Sequence, residues 1–90
     1  MNFDWDPIKN IWLKENRNIT FDEIICLINE GFLIKTLKHP KKSHQKIFII
    51  NRDGYAYNVP FIEETEGKCF LKTIYPSRAS TKKYIGGNNE

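Results

Sequence analysis

The hydrophobic period of the chain changes at Gly31, and that change constrains the fold more than any other feature. Before it, apolar residues recur at helical spacing, as Ile8, Ile11 and Trp12 and then as Phe21, Ile24, Ile25 and Ile28. After it they alternate with the period of two that belongs to strands. A helix pair followed by strands predicts an α+β domain, one sheet with helices packed on one face.

Local signals place the boundaries. Asp6 is an N-cap acceptor, and Pro7 stands at the first helical position, where a missing N–H costs nothing. The spacing predicts a helix over 7–17 with Trp12 inward, ended by Asn16-Arg17-Asn18. Phe3-Asp4-Trp5 before it is a brief strand or a core anchor, and both tryptophans are expected in the core. Thr20-Phe21-Asp22-Glu23 reads as a capping box in which the Thr20 hydroxyl and the Glu23 carboxylate each satisfy a backbone N–H. Gly31 is the expected stop of this second helix.

Four strands are expected beyond it: Phe32–Leu37, a central Lys46–Asn51, the alternating Tyr55, Tyr57, Val59 and Phe61, and Cys69–Tyr75. Lys38–His44 is a loop, Arg52-Asp53-Gly54 a hairpin turn and Glu63–Lys68 a second turn. Pro60 has no N–H for a ladder, which predicts an edge position or a bulge for the third strand. Pro76-Ser77 stops the fourth, and Ser77 or Ser80 caps a short helix to about Ile85. Residues 1–85 are thus expected as a single domain, with 86–90 disordered.

Charge is segregated along the chain. Residues 1–30 hold six acids and three bases, whereas 31–90 hold eleven bases and five acids. No acid lies between Glu30 and Asp53, or between Glu66 and Glu90. Two basic runs raise the local concentration of an anionic partner such as RNA, the alternative being a solvated lysine-rich surface. No apolar run approaches the roughly 20 residues of a membrane span, and no signal peptide follows Met1. A cytoplasmic protein with no membrane partner is therefore expected. Cys26 and Cys69 have no neighbouring cysteine, so the pattern lacks Cys-x-x-Cys chemistry, and two buried, reduced thiols are expected rather than a disulfide.

Two constellations carry possible chemistry. The first is His39-Pro40-Lys41-Lys42-Ser43-His44, where an imidazole that exchanges protons near neutral pH stands beside lysines able to hold phosphates. The second is Lys72, Tyr75, Arg78, Lys82 and Lys83, where the last strand runs into the last helix. Arg78 and Lys82 share one helix face, and a guanidinium with lysines near a helix start suits a phosphate. Against each stands the plain reading of a solvated basic loop and a charged helix face. The sequence holds no phosphate-binding Gly-rich loop, no His-Glu-x-x-His and no Gly-x-Ser-x-Gly, and neither cofactor nor metal is expected.

Phe3-Asp4-Trp5-Asp6-Pro7-Ile8-Lys9, Asn18-Ile19-Thr20-Phe21-Asp22-Glu23 and Ile74-Tyr75-Pro76-Ser77-Arg78-Ala79-Ser80-Thr81 together resemble BrnT-type toxins of type II toxin–antitoxin systems, over nearly the whole chain. The resemblance implies a RelE-like ribonuclease fold: two N-terminal helices on a four-stranded, mainly antiparallel sheet, with a short C-terminal helix. It further implies a metal-independent endoribonuclease that blocks translation and is inhibited by a cognate antitoxin. Arg78 carries over most directly, and the family's loop histidine maps onto His44 or His39. Gln45-Lys46 replaces the family's acidic stretch after that histidine, and its acid after the closing motif is absent here. The expected catalytic set is His44, Lys72, Tyr75 and Arg78, with His39, Lys41, Lys42, Lys82 and Lys83 on the RNA. The alternative is a non-catalytic nucleic-acid- or protein-binding module with a degenerate toxin fold.

Overall fold

The computed structural model describes residues 2–86. Strand β1 (Asn2–Trp5) leads into α1 (Pro7–Arg17) and α2 (Phe21–Asn29). Strands β2 (Leu33–Lys38), β3 (Gln45–Arg52), β4 (Tyr55–Glu63) and β5 (Lys68–Leu71) follow. The short β6 (Tyr75–Pro76) precedes a helical turn, α3 (Arg78–Ser80), which widens into π-helical geometry over Thr81–Ile85. The sheet order is β1-β5-β4-β3-β2, with β6 also on β4. The chain is α+β, as expected, but the sheet is mixed and has six strands rather than four. β1 pairs in parallel with β5, and the expected fourth strand is split into β5 and β6.

The capping signals work largely as read. Asp6 accepts from the Ile8 N–H, Thr20 Oγ1 from the Glu23 N–H at 3.2 Å and Ser77 Oγ from the Ser80 N–H at 3.0 Å. Gly31 takes φ 94°, and Asp53 and Gly54 take φ 55° and 84° in the β3–β4 turn. Glu23 departs from the capping box: its carboxylate is bound by Arg52 at the end of β3, at 2.6 and 3.2 Å. Arg52 also donates to the Asn18 carbonyl at 3.0 Å and to the Tyr57 hydroxyl at 3.3 Å. The carboxylate therefore fastens α2 and the α1–α2 junction to the sheet instead of closing its own helix, and the bonded carboxylate raises the Arg52 pKa.

Helix α1 has the expected bounds and the opposite orientation. Leu13 is fully buried, whereas Ile8, Ile11 and Trp12 are 76, 59 and 40 % exposed. Trp12 is thus not a core residue; it lies outside between Lys9 Nζ, 4.3 Å from its ring, and the Arg17 guanidinium at 4.9 Å. Trp5 does pack on the core, against Phe21. Of the two free thiols Cys69 is buried as expected, whereas Cys26 on α2 is exposed. The core lies between the helix pair and one sheet face, where Leu13, Ile19, Phe21 and Ile24 meet Phe48, Ile50, Val59, Phe61, Leu71 and Ile74. Phe48 and Phe61 stack at 3.9 Å within it.

β4 is not an edge strand; it is paired along both sides, and Pro60 sits opposite Ile47 in register. The Pro60 carbonyl accepts from the Lys72 N–H at 2.8 Å. The ring nitrogen points to that same side, where β5 stops at Leu71 and β6 starts only at Tyr75. The missing N–H therefore falls in a gap between two partners, and the β3 ladder is untouched. Residues 72–74 span that gap with a change of side. Leu71 and Ile74 both enter the core, although strict alternation sets them on opposite faces. Among the described residues no helix is long and apolar enough to cross a membrane. The disorder expected for 86–90 falls, beyond Gly86, outside the described residues.

Candidate phosphate-binding groove

The sheet face turned away from the helix pair carries the residues that alternate with the core: Gln45, Ile47 and Ile49 on β3 facing Ile62, Pro60 and Asn58 on β4. At the closing end of this face Ile49 and Ala56 are fully buried. There the last turns pack on β4, with Ser77 N donating to the Ala56 carbonyl and Ala56 N to Thr81 Oγ1 at 2.8 Å. At the other end no helix of the described residues intervenes. A groove of about 520 Å³ opens there, lined by Lys41, Lys42, Ser43, His44, Gln45, Ile62 and Lys72. That volume lies in the range of ligand sites, roughly 300–1,000 Å³.

The loop that forms one wall is tied into shape by its own backbone. His39 N donates to the Gln45 carbonyl at 2.9 Å, and Gln45 N to the Lys42 carbonyl at 3.1 Å. His39 Nδ1 accepts from the N–H groups of both Lys41 and Lys42, at 3.1 and 3.2 Å. The imidazole expected on the RNA thus folds the loop, with its Nδ1 committed to backbone. His44 differs: it is exposed at the wall of the groove, and its carbonyl accepts from the Glu63 N–H. Lys72 enters from the opposite wall, where β5 ends.

Among the described residues the groove is lined by three lysines and no carboxylate. Two ion pairs occur among the described residues, Lys46–Glu63 at 2.7 Å and Arg52–Glu23 at 2.6 Å, and neither involves a groove lysine. Lys46 departs to the core side of the sheet, so of the Gln45-Lys46 pair only Gln45 faces the groove. Among the described residues no three of His, Cys, Asp and Glu gather at one point. The groove itself offers one imidazole as a metal ligand and no acid.

Of the nine residues expected at the site, four line the groove: Lys41, Lys42, His44 and Lys72. Tyr75 shares the face but stands opposite Asn58, whose amide Nδ2 donates to its hydroxyl at 3.4 Å. Arg78, Lys82 and Lys83 are exposed on the closing helix. His44 lies level with Glu63 on β4, and the start of the closing helix is level with Ala56. At about 3.4 Å per residue that interval is about 24 Å, so His44 and Arg78 do not address one phosphate. Ser43, named in the loop constellation without a role, also lines the groove. Sequence reading gave no site role to Gln45 and missed Ile62, and the register of β3 against β4, which puts Gln45 beside Ile62, is the signal that finds both. Comparison with protein-family models, with curated proteins and with solved structures finds no match to this chain.

Proposed function

We propose that the groove is the phosphate site of an RNA-directed protein, a metal-independent endoribonuclease of the toxin class that the sequence resembles, with a RelE-like fold and a cognate antitoxin as its inhibitor. The observation that carries the reading is one groove holding three uncompensated lysines and an exposed imidazole. His44 takes the proton of a ribose 2′-hydroxyl, whose oxygen attacks the adjacent phosphorus. The bond to the 5′-oxygen breaks, that oxygen leaves with a proton from solvent, and the products end in a 2′,3′-cyclic phosphate and a 5′-hydroxyl. Lys72 stabilises the charge that grows on the non-bridging oxygens, while Lys41 and Lys42 hold the flanking backbone.

Purified protein incubated with total RNA in EDTA tests this. Cleavage is expected, with His44→Ala slowed about 10²–10⁴-fold and Lys72→Ala about 10²–10³-fold. Equal cutting by the parent and both variants overturns the assignment. A second reading, the non-catalytic binding module, is favoured by one observation: Tyr75 and Arg78 do not line the groove. It predicts salt-sensitive RNA binding with no cleavage, and expression that the host tolerates without an antitoxin.

A further inference from the structure

One row of side chains crosses the open face of the sheet beside the groove. Gln45 on β3 stands opposite Ile62 on β4, Ile62 opposite Phe70 on β5, and Phe70 opposite Asp4 on β1. Gln45 and Ile62 line the groove. Neighbouring strands are about 4.8 Å apart, so Phe70 lies one step from the groove wall and Asp4 about 10 Å from Ile62. Asp4 belongs to this face because its neighbours Phe3 and Trp5 both pack on the core side.

Phe70 is the aromatic side chain of this row. It is half-buried, and among the described residues it pairs with no other ring, unlike Phe3, Phe21, Phe48 and Phe61. Lys72 Nζ lies 5.7 Å from its ring centroid. The phosphate-holding ammonium thus lies over the ring, and a base stacks on Phe70 as the phosphate draws Lys72 off it. Asp4 is exposed; its Oδ1 accepts from the Trp5 N–H at 2.9 Å, and its other oxygen makes no hydrogen bond among the described residues.

We propose that Phe70 and Asp4 form a base-binding subsite beside the groove, taking a guanine of single-stranded RNA whose phosphate is held by Lys72. The proposal rests on the RNA reading of the groove. A base can lie on Phe70 only if it is unpaired, which excludes a duplex. A carboxylate accepts from both N1–H and N2–H of guanine, from a single amino group of adenine or cytosine, and on uracil from an N3–H flanked by two carbonyl oxygens that repel it. The subsite therefore ranks guanine first and uracil last.

Fluorescence anisotropy of labelled oligouridine, with and without a central guanosine, tests the subsite. The parent is expected to prefer the guanosine strand. Phe70→Leu, which keeps the bulk of the side chain, weakens binding of that strand roughly 5- to 150-fold. Phe70→Tyr restores it. Because no phosphate contact is lost, the salt dependence of binding stays parallel to that of the parent. Asp4→Asn removes the preference for guanosine and leaves oligouridine binding unchanged. Salt-sensitive binding by a parent that Phe70→Leu leaves unweakened overturns the subsite alone, as does a guanosine preference that survives Asp4→Asn. A parent that binds neither strand overturns the RNA reading and the subsite with it.

Discussion

Replacing Lys72 by alanine should change how RNA binding responds to salt as well as how tight it is. Each cation seated against single-stranded RNA contributes about −0.7 to the slope of log affinity against log salt. Lys41, Lys42 and Lys72 line the groove, and three such contacts give a slope of about −2.1. Between about 50 and 200 mM salt that is a loss of about 18-fold. A strand that also crossed Arg78, Lys82 and Lys83 would show about −4.2, a loss of about 340-fold over the same range. The two paths are well separated by anisotropy titrations of a labelled oligonucleotide at several NaCl concentrations. Lys72→Ala should move the slope toward zero by about 0.7. Lys46→Ala should not move it, because that ammonium is paired with Glu63 at 2.7 Å and faces the core side. A slope that Lys72→Ala leaves unchanged refutes the phosphate seat, whatever happens to the affinity.

Three further outcomes concern the scaffold. In urea unfolding, Leu13→Ala should cost about 2–5 kcal/mol as a fully buried leucine, and Trp12→Ala less than about 1 kcal/mol as an exposed side chain; the reverse order would show that α1 is turned the other way. A double-mutant cycle on Arg52→Ala and Glu23→Ala should give a coupling of about 1 kcal/mol, kept modest by the 38 % exposure of the Glu23 side chain, and additive losses would remove the clamp. Burial, with Glu63 nearby, holds the Cys69 thiol above its ordinary value of 9.0, so the unfolded chain gives up that proton first. The thiol's contribution is intact below that value and is lost as pH rises toward the folded-state value, by at most about 1.4 kcal/mol per pH unit. Cys69→Ala should unfold with a flatter alkaline limb than the parent, and parallel curves would contradict the reasoning.

The elements that were legible in the sequence are those set by chemistry within a few residues. Asp6-Pro7, Thr20, Gly31, Asp53-Gly54 and Ser77 each supply a cap or a positive φ that few other residues supply, and each acts where it was read. What failed needed a partner distant in the chain. Ile8, Ile11 and Trp12 mark a stripe on α1, but a stripe does not say which way the helix is turned, and Leu13 is buried with Ile19 instead. Glu23 had a local partner in the capping box and a better one in Arg52, which offers two hydrogen bonds and a full charge. The groove was half legible. The lysines and His44 are evident from composition, whereas Ile62, Gln45 and Phe70 join them only through cross-strand register.

The break at 72–74 has the largest consequence for the site. Under strict alternation Lys72 and Tyr75 would point to opposite faces. Ile74 instead joins the core beside Leu71, and Arg17 Nη1 donates to its carbonyl, which has no strand partner there. Tyr75 is thereby thrown onto the groove's face, opposite Asn58. Lys72 is level with Pro60 and the start of the closing helix with Ala56, an interval of about 14 Å along β4. Under the proposed ribonuclease function the face offers two candidate centres, one of His44 and Lys72 and one of Tyr75 and Arg78, and a single scissile phosphate would use one of them. The closing segment on which the proposed toxin resemblance rests contains the second pair, whereas the groove contains the first. Cleavage abolished by His44→Ala and merely weakened by Arg78→Ala assigns the chemistry to the groove and leaves Arg78 to grip the strand downstream. The opposite result moves the reacting phosphate to the closing helix and makes the groove the place where the RNA is held.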